Sequence, residues 1–243
     1  MYQVQNRSSM VVNKNGTNLG REHIERAIWF DIEKRENDDE PAVTGIFAEG
    51  IFRIVVHDEQ LAIAAEYSGL EVQNGASFYQ NIIRKCREEN RLLISYTKAD
   101  HKYVTDAYPH LEMELNQVYQ KTKFTSWFRQ HRPELFEEMQ RKQRSRAGNR
   151  RARNPPHKKQ SGEYRIGLKE MLKLNEIGYP ERGKVGIGGS AATIGKIRER
   201  HAKTGTDIER LTKGEKRAWS RMLTYLQHDV RGLEHLTRWV NSS

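Results

Sequence analysis

The sequence predicts an α/β protein in which helices flank a mixed β-sheet. Three apolar, β-prone runs follow one another with short loops between residues 24 and 57, which predicts an antiparallel meander. Residues 77–90 have apolar side chains at helical spacing and precede a short apolar run at 91–96, which predicts a β-α-β crossover and therefore a parallel pair. Residues 213–240 carry apolar side chains every third or fourth position, so a long amphipathic helix is expected to cover the sheet.

The composition is compatible with one domain at residues 21–243, preceded by a flexible polar arm at residues 1–20. The 243 residues are 36% hydrophobic and 30% charged, and the single cysteine, Cys86, excludes an internal disulfide. No apolar run approaches the roughly 18 residues of a membrane span, and the N-terminus lacks the apolar core of a secretion signal. We therefore expect a soluble, cytoplasmic protein without a membrane partner.

Positive charge is concentrated in one segment, which is predicted to be an insertion at about residues 140–162. Nine cations and no acid lie between residues 140 and 160, and they account for nine of the ten net positive charges. Such a segment suits a polyanion, for which nucleic acid is the leading candidate, and the alternative is a solvated linker without a partner. The predicted nucleic-acid-binding residues are Arg144, Arg146, Arg150, Arg151, Arg153, Lys158 and Lys159.

The first predicted strand, at residues 24–33, ends in Asp31 and Glu33. Side chains two residues apart on a strand point to the same face, so both carboxylates should project together. Adjacent carboxylates repel each other and lose hydration near a core, and Mg²⁺ or Mn²⁺ would relieve both costs. The alternative is a strand that runs out into solvent.

The next elements are strands at 42–48 and 51–57, with Glu49-Gly50 as the hairpin turn between them. Ser77 is the expected cap of the helix at 77–90. Asp100 comes just after the strand at 91–96, and ligand groups collect at that end of the strands in open α/β sheets. The alternative for Asp100 is a helix N-cap.

Helices are also expected at residues 111–119, 133–141, 164–172 and 193–201, with a Gly-rich loop at 183–195. The long helix at 213–240 carries Tyr225 and Asp229, whose four-residue spacing puts them on one face. Asp229 lies close to the apolar stripe, where an unpaired carboxylate is costly, so a ligand role is attractive. The alternative is an exposed Asp229 that pairs with Arg221, Arg231 or His228.

The ordered set of Asp31-x-Glu33, Asp100 and Tyr225-x-x-x-Asp229 resembles the motifs of the DEDD exonuclease superfamily in its Tyr form. The resemblance extends over residues 24–240 and is greatest to bacterial ribonuclease-H-like exonuclease-type domains, in which a helix reading Leu-Lys-x-x-x, as at residues 168–172, precedes the last motif. The second motif departs from the usual Asn-x-x-Phe-Asp, since residues 96–100 are Tyr-Thr-Lys-Ala-Asp. Asp106 is therefore a second candidate for that position.

The resemblance implies a ribonuclease-H-like fold, with an antiparallel meander followed by parallel strands. It implies that Asp31, Glu33, Asp100 and Asp229 bind two Mg²⁺ or Mn²⁺ ions about 4 Å apart, while Tyr225 orients or helps deprotonate the attacking water. The implied activity is hydrolysis of DNA or RNA phosphodiesters in the 3′–5′ direction, on a strand that is single or has a free 3′ end. The alternative is a catalytically inactive nucleic-acid-binding module of the same fold.

Overall fold

The computed structural model describes residues 21–148, 164–181, 189–205, 209 and 211–242. Five strands form one sheet: β1 (Ile28–Glu33), β2 (Val43–Ala48), β3 (Ile51–Val56), β4 (Leu93–Ser95) and β5 (Tyr119–Lys121). The helices within these residues are α1 (Arg21–Glu25), α2 (Ala62–Tyr67), α3 (Gly75–Glu88), α4 (Lys98–Ala107), α5 (Glu112–Val118), α6 (Phe124–His131), α7 (Pro133–Gly148), α8 (Leu168–Leu172), α9 (Ser190–Thr204) and α10 (Lys213–Ser242). The predicted N-terminal arm lies outside the described residues.

The sheet has the strand order β3-β2-β1-β4-β5, with β1 at its centre. Strand β1 pairs antiparallel with β2, and β2 pairs antiparallel with β3, whereas β1–β4 and β4–β5 are parallel. Glu49 and Gly50 have φ values of 54° and 80°, the left-handed conformation that a tight turn between two antiparallel strands requires. The predicted α/β class, mixed sheet and hairpin turn are therefore confirmed.

Several predicted boundaries were wrong for local reasons. Strand β1 begins at Ile28 and not at Ile24, which belongs to the short helix α1. Ile24 is buried there, and a buried apolar residue is equally compatible with a strand and with a helix. The cap of α3 is Asn74, whose side chain accepts a hydrogen bond from the N–H of Ser77 at 3.0 Å. Helix α8 begins only at Leu168, and α7 continues to Gly148, so the first part of the basic segment is helical.

The alternation of β1 separates two cores on the two faces of the sheet. Trp29 belongs to a core formed with α6 to α10, whereas Phe30 and Ile32 belong to a core formed with α3, α4 and α5. Asp31 and Glu33 follow Trp29 by two and four residues, so all three side chains lie on the face of the sheet that α10 covers. No helix among the described residues is both long enough and apolar enough to cross a bilayer.

The close approach of α10 to the sheet depends on Gly45, the residue of β2 that pairs with Asp31. A Cβ atom at Gly45 would lie 2.6 Å from Cγ of Leu226, so a larger residue would push the helix away. Leu226 lies one turn of α10 before Asp229 on the helix. The glycine therefore lets α10 bring its carboxylate near β1.

Candidate metal centre

Three carboxylates from two remote segments meet near the C-terminal end of β1. Asp31 and Glu33 are half-buried on β1, and Asp229 projects from α10 with 13% of its side chain exposed. One oxygen from each of the three lies within 4.8 Å of the other two. Oxygen atoms of this kind, at this spacing, are the ligands that Mg²⁺ and Mn²⁺ prefer.

Asp100 lies beside this group rather than within it. It is 4% exposed, in the first turn of α4, and the N-cap of that helix is Thr97, which makes the N-cap alternative for Asp100 wrong. Thr97 Oγ1 accepts a hydrogen bond from the N–H of Ala99 and donates one to Oδ2 of Asp100, both at 3.1 Å. The charge of Asp100 is, after burial, the main reason that the pKa of Asp31 is raised.

Asp106, the other candidate for the second motif, is at the surface of α4. Its side chain is 53% exposed and pairs with Lys102, one turn earlier on the same helix. The structure therefore favours Asp100, which is buried and whose charge acts on both Asp31 and Glu33.

Lys169 is a site residue that the sequence analysis did not assign. Its Nζ lies 2.8 Å from Oδ2 of Asp229, so Asp229 pairs with α8 rather than with the neighbouring cations of its own helix. The same ammonium lies 5.8 Å from the ring centroid of Tyr225, which is half-buried one turn before Asp229. The Leu-Lys pair at the start of α8 was the signal that could have identified it.

Ser190 is a second residue that the sequence did not point to. It begins α9, in a segment that was expected to be a loop, and its side chain lies close enough to the carboxylate of Glu33 to lower the pKa of that group, against the larger rise that burial causes.

The electrostatics of the centre favour protonation, or a bound cation, over four free carboxylates. Burial, followed by the charges of Asp100 and Asp229, holds the pKa of Asp31 well above its ordinary value. Burial also raises the pKa of Glu33 to about 7 and that of Asp100 to about 6, in each case against hydrogen bonds that lower it. The pKa of Asp229 is raised by burial, although the charge of Lys169 opposes the rise.

The residues present fit a divalent cation. Oδ1 of Asp229 is buried and has no hydrogen-bond partner among the described residues, whereas Oδ2 contacts Lys169. A buried carboxylate oxygen without a partner is costly, and a hard cation would remove that cost. Asp31, Glu33 and Asp229 could therefore bind Mg²⁺ or Mn²⁺, with Asp100 next to them.

The basic segment is described only in its helical part. Arg144 lies 3.6 Å from Glu137, and Arg146 lies 3.6 Å from Glu170, so both described arginines have acidic neighbours. The five other predicted contact residues lie outside the described residues: Arg150, Arg151, Arg153, Lys158 and Lys159. Nucleic-acid binding by this segment stays a prediction.

No family model matches the chain, and comparison with curated proteins and with solved structures finds no similar protein.

Proposed function

We propose that this protein is a metal-dependent phosphodiesterase that hydrolyses nucleic acid, and that it acts as a 3′–5′ exonuclease. The observation that carries the proposal is the convergence of Asp31, Glu33 and Asp229, with their oxygens within 4.8 Å and Asp100 buried alongside. Carboxylates of this number in one buried place, with raised pKa values, are typical of a functional site rather than of a solvated surface.

The topology supports a ribonuclease-H-like fold. The antiparallel meander β1-β2-β3 is followed by the parallel strands β4 and β5, which is the arrangement that the motif resemblance implies. The first acidic pair lies on the central strand, and the second motif follows β4, the parallel neighbour of β1. The first and third motifs lie on a strand and a helix, as the resemblance implies, whereas Asp100 lies in the first turn of the helix that follows β4.

In the proposed reaction, Asp31, Glu33 and Asp229 would hold the metal ions, and Asp100, which lies beside them, would complete the set of ligands. A bound Mg²⁺ or Mn²⁺ supplies a more acidic water and stabilises charge on the phosphoryl oxygens. Ser190 would favour the charged form of Glu33, the form that binds a metal ion.

Lys169 and Tyr225 act at the edge of the carboxylate group. Lys169 keeps its proton, because the charge and hydrogen bond of Asp229 outweigh the burial that would lower its pKa. Its ammonium can therefore neutralise charge that develops on a phosphate. The ring of Tyr225 contacts that ammonium, so Tyr225 helps to position Lys169, in addition to the water-orienting role that the resemblance implies.

The test is hydrolysis of 5′-labelled single-stranded DNA and RNA with Mn²⁺ or with EDTA. We expect a metal-dependent ladder that shortens from the 3′ end, and a decrease of about a thousandfold or more in Asp31→Asn and in Asp229→Asn. Asp106→Asn is the matched control, because it removes one carboxylate at an exposed position of α4 and should keep full activity.

A second readout does not depend on turnover. Mn²⁺ should raise the melting temperature of the wild type and of Asp106→Asn, because a ligand that binds the native state stabilises it, and it should leave Asp31→Asn unchanged. Cleavage at internal positions would still support the metal site, but it would identify the enzyme as an endonuclease. Absence of both cleavage and Mn²⁺ stabilisation in the wild type would refute the proposal.

The second candidate is a nucleic-acid-binding module without catalysis. The ion pair between Lys169 and Asp229 favours it, because this pair satisfies one ligand oxygen with a cation of the protein itself. Such a module would bind oligonucleotides in a salt-sensitive way, and neither EDTA nor Asp31→Asn would alter that binding.

A further inference from the structure

A cleft of about 570 Å³ opens beside the C-terminal ends of β4 and β5, and we call it the basic cleft. Four cations line it, Lys98, Lys121, Lys123 and Arg165, and none of the described residues that line it is a carboxylate. The volume is in the range of sites that bind small molecules or short parts of larger ligands. A concave surface with charge of one sign concentrates ligands of the opposite charge.

The four cations are available for a ligand. Lys98, Lys123 and Arg165 are exposed and Lys121 is half-buried, and none of them forms an ion pair within the described part of the chain. Arg146 differs from them, because it faces Glu170. Cations that have no carboxylate partner among the described residues favour a polyanion over an apolar or a cationic ligand.

Neutral hydrogen-bond donors also line the basic cleft. The hydroxyls of Thr125 and Ser126, in the first turn of α6, line the basic cleft. The N-cap of helix α6, Lys123, makes no side-chain hydrogen bond to the first turn, and N–H groups at a helix N-terminus are suited to bind phosphate oxygens. Cations, hydroxyls and N–H groups are the groups that contact nucleic-acid backbones.

The basic cleft adjoins the carboxylates through two direct links. Thr97 lines the cleft, and its hydroxyl donates a hydrogen bond to the carboxylate of Asp100. Tyr96 also lines it and donates to the carbonyl of Ile166 at 2.7 Å, three residues before Lys169. Because β1, β4 and β5 are parallel, the carboxylates and the cleft lie at the same edge of the sheet.

We propose that the basic cleft binds the backbone phosphates of a single nucleic-acid strand and leads that strand to the carboxylates. The last part of this inference, the destination of the strand, rests on the proposed function. The carboxylates repel phosphates, so the attraction that brings the strand in must come from cations close to them. The four cations of the cleft supply it without help from the basic segment at residues 140–162.

The test compares two triple variants of equal net charge in the full-length protein. Lys98→Gln, Lys121→Gln and Lys123→Gln change the cleft, whereas Arg84→Gln, Lys85→Gln and Arg87→Gln change exposed cations on α3. The last turn of α3 lies at the opposite edge of the sheet, since Arg26, just before β1, donates to the carbonyl of Glu89 at 2.8 Å.

Binding is followed by fluorescence anisotropy with labelled single-stranded DNA and RNA of equal length, in EDTA and at a series of NaCl concentrations. For the cleft variant we expect the slope of log K against log [NaCl] to become less steep by about 2, because each lost phosphate contact changes it by about 0.7. The α3 variant should keep the wild-type slope. Equal changes with DNA and RNA would assign the contacts to phosphates, and a change with RNA alone would assign them to the 2′-hydroxyl side of the strand and overturn the phosphate assignment.

A wild-type slope in the cleft variant, or equal losses in both variants, would overturn the proposal. Circular-dichroism melting checks that the variants fold. If the triple cleft variant is unstable, the double variant Lys98→Gln and Lys123→Gln, which changes two exposed positions, takes its place. Binding in EDTA is independent of hydrolysis. A changed slope without any cleavage would therefore refute only the proposed enzymatic function. Cleavage with an unchanged slope would refute only the proposal that the basic cleft binds the strand.

Discussion

Burial and mutual repulsion set the behaviour of each carboxylate at the centre. Asp31 is affected by three other acids and by one described cation, Lys169, whose charge lowers its pKa without cancelling the rise. Burial raises the pKa of Glu33 from its ordinary value of 4.5 to about 7. Without a metal, the folded protein therefore binds protons that the unfolded chain releases.

This proton uptake predicts a pH-dependent stability in EDTA. Because the pKa of Glu33 is raised in the folded state, unfolding should become easier as the pH rises from about 4.5 to about 7, with a change on the order of 3 kcal/mol from this group. Urea unfolding at pH 5 and pH 8 would measure it. Glu33→Gln should reduce the difference in unfolding free energy between these two pH values. Mn²⁺ should raise the unfolding free energy more at pH 8 than at pH 5, since the metal and protons compete for the carboxylates. Equal wild-type stability at both pH values in EDTA would contradict the prediction.

Helix packing determines where these side chains stand relative to one another. Helix α10 contacts β1, β2 and α8, and its Gly232 faces the side chain of Leu172 so closely that a Cβ atom would overlap it. Leu172 ends α8, the helix that carries Lys169. The distance between Lys169 and Asp229 therefore depends on a glycine one turn beyond Asp229.

Substitution of that glycine should weaken both the fold and the site. We expect Gly232→Ala to destabilise the protein by about 1–3 kcal/mol, because the buried Leu172 must move, and to lower hydrolysis by displacing Lys169. Gly214→Ala is the control on the same helix, where the nearest atom to a new Cβ is 3.9 Å away and alanine favours the helix by up to about 1 kcal/mol. Urea unfolding and the oligonucleotide assay measure the two effects. Equal stability of the two variants would show that α8 and α10 do not depend on this contact.

At the scale of the whole molecule, positive charge is divided between the basic cleft and the basic segment. The segment accounts for most of the net charge of +10, but its described arginines lie close to carboxylates, whereas the cations of the cleft form no ion pair among the described residues. The two regions should therefore make separate contributions to binding a polyanion.

Replacement of Arg150, Arg151 and Arg153 by Gln tests the contribution of the segment. If the segment contacts phosphates, the salt slope should become less steep by about 2, and this change should add to that of the cleft variant. Stabilisation by Mn²⁺ should not change, because these residues are remote in sequence from the four carboxylates. Anisotropy in EDTA measures the slope, and a wild-type slope would identify the segment as a solvated linker.

Helix α10 was predictable because its apolar residues recur at every third or fourth position along the whole helix. The meander was predictable because β-prone runs follow one another with short loops, one of them the Glu49-Gly50 turn. Strand β5, with three residues, and helix α6, with eight, were not predicted. Segments of this length take their structure from their neighbours, as β5 does from its parallel pairing with β4. Residues 164–167 were wrongly predicted as helical for the same reason, since Tyr164 instead hydrogen-bonds to Gln140 of α7.

The sequence by itself determined the relations that the local chain geometry imposes. Asp31 and Glu33 share a face because a strand repeats every two residues, and Tyr225 and Asp229 share a face because a helix turns every 3.6. Only the tertiary structure decided that these two faces meet, and that Asp229 pairs with Lys169. Those distances depend on how α8 and α10 pack on a sheet formed by residues far away in the chain, and no local period carries that information.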